Sequence, residues 1–286
     1  LTKAASLADL QTPPAAPIPP LMPDLYQAET LLIDGPDAVA FAQSQFSGNV
    51  SELAVGRWQF NAWLDAQGRV RALFHLARLD EQRLLLMLRG GRAAPLADAL
   101  RRFVFRSKLT LQALPSRMLA RAAALELHAI HIDGDSVVLG CGTHGLAISA
   151  HEDDAWRAEQ IHLGWPWLPD SATDALLPPA LSLERLNAVA FDKGCFPGQE
   201  IAARLHYRGG HKRHMHCVVL SRAVVPGSVL SDGVQDVAIV LDNVPRDGRN
   251  IGLAIITDTL AEHGKQHTLQ CDGQNIDIEL SERWPA

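Results

Sequence analysis

Hydrophobic and polar positions alternate with two different periods along this chain, and the switches between them mark out its elements. Leu31-Leu32-Ile33 reads as a short strand that Asp34 and Gly35 break. Pro36 suits a first helical turn and Asp37 complements a helix dipole. The following helix turns Val39, Phe41, Ala42 and Phe46 inward and ends near Gly48-Asn49. From Arg57 the period becomes two. Trp58, Phe60, Ala62 and Leu64 alternate with Gln59, Asn61 and Trp63; Asp65-Ala66-Gln67-Gly68 turns the chain; Val70, Ala72, Phe74 and Leu76 return it as a hairpin. Leu84 to Leu88 is a buried strand, and a helix runs past Gly90-Gly91 through Pro95 to Phe103.

Strands follow at Leu109 to Leu114 and at Leu125 to Ile132, the latter turning at Asp133-Gly134-Asp135 into Val137-Val138-Leu139. His128 falls on the polar face of that strand and reads as a surface residue. Gly140-Cys141-Gly142-Thr143-His144-Gly145 matches G-x-G-x-x-G, but a short strand-like run follows it instead of a helix, so a tight hairpin fits and a dinucleotide site does not. Glu152 to Ile161 reads as a helix, Gly164 to Pro169 as a rigid loop whose tryptophans plug a core, and Leu181 to Ala190 as a helix and strand. After Lys212 the texture is wholly β, with turns at Pro226-Gly227, Asp232-Gly233, Asp247-Gly248 and Asp272-Gly273, which suggests a small antiparallel barrel. Thr12 to Pro20 is proline-rich and reads as an extended leader.

Composition narrows the class without naming it. At 286 residues the chain is long for one core, and 47% hydrophobic with 20% charged residues is ordinary for a globular protein. A net charge of −6 speaks against strong nucleic-acid binding, although a local basic patch can coexist with it. Arg101, Arg102, Arg106 and Lys108 form a basic face that reads as a solvated helix end, with an anionic partner as the second reading. The scattered cysteines Cys141, Cys195, Cys217 and Cys271 suit a reducing compartment and make no disulfide framework or zinc knuckle. No stretch approaches the roughly 20 apolar residues of a membrane helix, and the N-terminal residues lack an apolar signal core. The expected location is the cytoplasm, and the expected state a monomer.

Reactive groups concentrate in one stretch, from Asp192-Lys193-Gly194-Cys195-Phe196-Pro197-Gly198-Gln199-Glu200-Ile201 through Arg204, Tyr207, Arg208 and Gly209 to Lys212-Arg213. Gly194 and Gly198 permit a positive φ or a close approach. Cys195 beside Lys193 and Arg204 would be favoured as thiolate, the reactive form. Glu200 and Arg204 are also spaced as a helical surface ion pair.

Lys193-Gly194-Cys195-Phe196-Pro197-Gly198-Gln199-Glu200 resembles the K-G-C-[FY]-x-G-Q-E signature of the YgfZ-type folate-binding proteins. These are relatives of the glycine-cleavage T-protein associated with maturation and repair of iron–sulfur enzymes and the tRNA modification that depends on them. The resemblance continues through Ala203-Arg204, Tyr207-Arg208-Gly209 and Lys212-Arg213. It implies an α+β fold arranged as a three-domain ring, two related α/β-layer domains plus a C-terminal antiparallel β-barrel. The expected boundaries are a leader at 1–23, a discontinuous first domain at 24–50 and 115–208, a second at 51–114, and the barrel at 209–286. It further implies tetrahydrofolate or a derivative as cofactor, and iron–sulfur client or assembly proteins as partners. Cys195 would be the functional thiol with Lys193 beside it. Phe196, Gly198, Gln199, Glu200, Arg204, Tyr207 and Arg208 would bind the folate, with Asp192 and Trp63 as further candidates for ring and stacking contacts.

Alternatives remain at this point. T-proteins carry an aspartate after a glycine turn in the first long hairpin; the corresponding Gly68-Arg69-Val70-Arg71-Ala72-Leu73 has none, and Asp65 reads as a turn residue. That argues against aminomethyl transfer, so a one-carbon transferase is the second reading and conventional turnover is not expected. His206, His211, His214 and His216 crowd near Cys195 and Cys217, which suits soft-metal ligation; solvated histidines beside a basic loop fit as well, and no metal is assigned. His206 is also the nearest histidine to activate Cys195 as a nucleophile.

Overall fold

The hairpin at Trp58 is buried on both faces, and that fact sets the architecture around it. The computed structural model describes residues 26–150 and 153–285, so the proline-rich leader lies outside the described residues. In the first sheet, β1 (Thr30–Asp34), β2 (Trp58–Leu64), β3 (Val70–Arg78), β4 (Arg83–Leu88) and β5 (Thr110–Ala113) take the order β2-β3-β4-β1-β5. On one face Trp58, Phe60, Ala62, Leu64, Leu73 and Met87 join the main core. On the other, Trp63, Phe74, Leu76, Leu84, Leu86 and Leu88 pack with Leu31 and Ile33 beneath α1 (Ala38–Gln45) and α2 (Ala93–Arg101). A register shift between Trp63 and Leu64 puts Val70 on the opposite face from Ala72, where simple alternation had set them together. Helix α1 stops at Gln45 with Phe46 as its cap, short of Gly48-Asn49.

β1 hydrogen-bonds antiparallel to β4 and to β5. Residues 30–34 therefore share one sheet with 58–113, whereas the expected division groups 24–50 with 115–208.

The second sheet, β6 (Met118–Ala122), β7 (Ile130–Asp133), β8 (Ser136–Gly140) and β9 (Gly145–Ser149), has the order β6-β9-β8-β7. The glycine-rich stretch closes the β8–β9 hairpin, with Gly140 opposite Gly145. The alternation from Leu125 does not make a strand before Ile130, because His128 takes a φ of 68° and breaks the extended run. α3 (Ala155–His162) begins later than expected, Glu152 lying outside the described residues. Trp165 and Trp167 are buried core plugs. From Pro178 to Leu181 the chain makes one 3-10 turn, and the run to Ala190 is turns and loop, without the expected helix and strand.

Helix α4 (Gln199–Arg208) carries the motif residues into the C-terminal part. There β10 (Arg213–Leu220), β11 (Val229–Ser231), β12 (Asp236–Arg246), β13 (Arg249–Thr257), β14 (Gln266–Cys271) and β15 (Gln274–Arg283) close an antiparallel barrel, with α5 (Asp258–Glu262) beside it. Val218, Leu220, Leu230, Val240, Ala254, Ile256, Leu269 and Ile278 fill its interior. Met215, Cys217, Leu241, Leu253 and Ile255 face outward and join the main core, seating the barrel on the rest of the chain. Beside that seat, Arg157 of α3 donates to Asp242 at 2.5 Å and to the Tyr26 hydroxyl at 2.9 Å, and Tyr26 donates to Asp242 at 2.5 Å.

Candidate functional site

Where the motif meets the first sheet, two glycines let two backbones touch. Gly198 caps α4 at a φ of 77°, and a Cβ there would press on the Asp65 carbonyl and come within 2.9 Å of Gly68 Cα. Gly68, at a φ of 76°, lies against Ile201 in return. The tip of the β2–β3 hairpin therefore rests on the start of α4. Asp65 Oδ1 accepts from the main-chain N–H groups of Gln67 and Arg69, at 2.9 and 2.8 Å, which fixes it as a turn residue. Gly194 does not share this role: its φ is outside the left-handed region and nothing lies within 4 Å of a Cβ built on it.

Lys193 does not turn to the cysteine either. Its Nζ donates to the carbonyls of Phe46 and Gly48 at 2.6 and 2.8 Å, and lies 5.1 Å from the Phe196 ring centroid. Burial lowers its pKa from the lysine range to about 8. Lysine thus pins the motif loop to the end of α1. Phe196 is buried in the main core and has no free face for stacking. Cys195 is a free, exposed thiol, in contrast to the buried Cys141, Cys217 and Cys271.

Gln199 opens α4 with its main-chain N–H on the Phe196 carbonyl at 3.2 Å. Glu200, Arg204 and Arg208 lie exposed along the helix, and Glu200 and Arg204 make no ion pair with each other. Of the expected ligand residues, Tyr207 and Asp192 line a cleft of roughly 820 Å³ beside the motif. Its floor is Trp58; Phe191 and Tyr207 form an aromatic wall; Asn49, Gln59, His128 and Asn187 supply polar groups, and Glu52, Asp192 and Arg57 supply charge. Phe191 stacks on His206 at 4.3 Å, and His206 is held through Nδ1 by Glu184 at 2.7 Å. A carboxylate only accepts, so Nδ1 carries the proton. Trp63 lies outside the cleft, in the core beneath Arg71.

Two polar atoms of this cleft are buried without a partner, Gln59 Nε2 and His128 Nδ1. Burial foremost, with the Arg57 charge adding to it against a hydrogen bond donated to the Trp58 backbone, holds the His128 pKa below its usual value. His128 is thus neutral at neutral pH, free to accept or donate a hydrogen bond. Sequence reading put it on a solvent face; the signal it lacked was the left-handed turn that swings the ring over Trp58, 4.7 Å away. Asn187, at a φ of 52°, bends the loop below.

The histidines near the barrel do not converge. His214 is paired with Asp258 at 2.7 Å, and His216 is buried rather than solvated, its pKa pushed down to about 4 chiefly by burial. Among the described residues no group of three or more histidine, cysteine, aspartate or glutamate side chains is placed to hold a metal ion. Among them, too, no helix is long and apolar enough to cross a membrane.

No protein-family model matches the chain. It is 28% identical over 271 residues to the tRNA-modifying protein YgfZ of Photobacterium profundum, covering 80% of each chain. It is 26% identical to the tRNA-modifying protein YgfZ of Pectobacterium carotovorum, covering 67% of this chain and 68% of that one. Among solved structures, the glycine cleavage system aminomethyltransferase T of Bartonella henselae superposes with a TM-score of 0.67 at 15% identity, over 90% of this chain and 84% of that one. Mixed α and β layers, a closed six-stranded C-terminal barrel and these likenesses agree: the chain is similar to the YgfZ-type proteins and has the T-protein-like fold.

Proposed function

We propose that this protein binds a reduced folate in the Trp58 cleft and serves as an accessory factor for assembling or repairing iron–sulfur clusters in client enzymes, and for the tRNA modification that depends on them. The observation that carries the reading is a cleft of suitable size for a drug-sized ligand, aromatic on one side, whose buried Gln59 Nε2 and His128 Nδ1 lack partners. Buried polar groups are normally satisfied, and a ligand with amide and ring-nitrogen groups satisfies these. A pterin presents an amino group beside an N–H, a pair that one carboxylate accepts through both oxygens. Asp192 and Glu52 line the cleft with free carboxylates for that role. Tyr207 and Phe191 suit the flat ring, and Arg57 suits the anionic tail. When bound, a reduced folate supplies one-carbon carriage and a readily oxidised pterin.

Cys195 is the accessible thiol beside this cleft's motif, and the role proposed for it is contact with the cluster or client. The hairpin position where T-proteins place their aspartate carries no carboxylate, and Asp65 is consumed by its own turn, which weighs against aminomethyl transfer. Cys195→Ser preserves size and shape at an exposed position, so it is expected to fold and bind folate normally. In cells lacking the native protein it is expected to fail to restore an iron–sulfur enzyme's activity. Full restoration by the serine variant overturns the role given to the thiol.

A further inference from the structure

The loop that follows α2 carries a surface that neither the fold nor the folate reading uses. Arg102-Phe103-Val104-Phe105-Arg106-Ser107-Lys108 interleaves cations with aromatic rings. Phe105 is 85% exposed and Phe103 46%, an arrangement that costs hydrophobic free energy unless something covers it. The Arg106 guanidinium lies 5.4 Å from the Phe105 ring centroid, within cation–π range. The side chains of Arg102, Arg106 and Lys108 have no ion-pair partner among the described residues, and the nearby Asp98 is taken up by Arg101. The loop is held in place from both ends. Phe103 and Val104 donate main-chain hydrogen bonds to the carbonyls of Leu100 and Arg101, and the Lys108 N–H donates to Asp37 Oδ2 at 2.6 Å. Phe103 packs edge-on against Trp63, with ring centroids 6.2 Å apart.

We propose that this loop binds single-stranded RNA, with phosphates on Arg102, Arg106 and Lys108 and a base stacked on Phe105. A single strand repeats one flat ring and one negative charge per nucleotide, which is the alternation the loop presents. An acidic peptide would use the cations and leave the ring uncovered. A lipid surface would require a wider apolar face than two rings flanked by arginine and serine. The chain's net charge of −6 opposes indiscriminate binding over the surface as a whole.

The test is fluorescence anisotropy of a labelled oligouridylate at about 50 mM salt, with polyglutamate and phosphatidylserine vesicles as competitors. Wild type is expected to bind the RNA with a log–log salt slope of about −2, the value for three phosphates neutralised on a single strand. Phe105→Ala should weaken binding roughly fivefold or more, the loss of one stacked base. Arg102→Glu with Arg106→Glu should abolish it. These side chains are exposed, so circular dichroism melts of the variants should match wild type. Absence of RNA binding, or RNA binding that survives both variants, overturns the proposal. So does polyglutamate or the vesicles displacing the RNA while binding more tightly and losing affinity in Phe105→Ala, which would assign the surface to an acidic protein or a lipid headgroup.

Discussion

Lys193 and Gly198 hold the motif in place by different means. Lys193 acts through an ammonium donating to two main-chain carbonyls at the end of α1. Lys193→Met retains the stem but strands both acceptors, at an expected cost of ~1–3 kcal/mol in urea unfolding at neutral pH. Because burial lowers the lysine pKa to about 8, the unfolded chain binds more protons than the native one between about pH 8 and the ordinary lysine value near 10.5. Stability of the wild type relative to Lys193→Met should therefore rise, not fall, across that window. A flat difference would place the lysine in solvent. Gly198 acts through space: its positive φ and its contact with the hairpin tip leave no room for a Cβ. Gly198→Ala is expected to cost at least ~1–3 kcal/mol, while Gly194→Ala, in open space at an ordinary φ, should stay within about 0.5 kcal/mol. Equal effects in the two variants would refute the packing assigned to Gly198.

At the level of elements, β10 carries His214 and His216 on one strand, yet their environments differ. His214 keeps Asp258, whereas His216 is buried with Nε2 unpartnered. With a native pKa of about 4 against 6.5 unfolded, the unfolded state takes up the extra proton between those values. The wild type should lose stability as pH falls from 6.5 towards 4, on the order of 2–3 kcal/mol from this residue. His216→Phe should flatten that part of the stability profile, and an unchanged slope would contradict its burial. The same scale shows what sequence could disclose. The glycine-rich hairpin, the tryptophan plugs and the β-rich stretch after Lys212 were legible because period, turn chemistry and residue size pointed one way. β6 and β11 escaped because each buries a single side chain, Leu119 and Leu230, and so shows no alternation. The run before Ile130 misled because one left-handed histidine breaks an alternation that composition alone supports.

Across the whole molecule, the Tyr26–Arg157–Asp242 cluster ties α3 and the segment before β1 to the barrel. Removing one member of a buried charged pair leaves the other uncompensated, so Asp242→Leu is expected to cost ~3–5 kcal/mol in thermal or urea unfolding. A loss below 1 kcal/mol would mean that apolar seating alone holds the barrel. Long-range placement is also why the candidate site was only half legible. Tyr207 and Asp192 could be named from the motif, but Gln59, Glu52 and His128 come from distant segments with no shared pattern. Conversely, helical spacing grouped Glu200 with Arg204, while neither lines the cleft.

Calorimetric titration with tetrahydrofolate tests the central claim most directly, using wild type, Asp192→Asn, Tyr207→Ala and Glu200→Gln. Wild type should bind at a single site. Asp192→Asn should lose about tenfold or more, the cost of a charge-assisted pair. Tyr207→Ala should lose severalfold, and Glu200→Gln should match wild type. No heat of binding in wild type, or a loss in Glu200→Gln with none in Asp192→Asn, would contradict the assignment of the Trp58 cleft as the folate site.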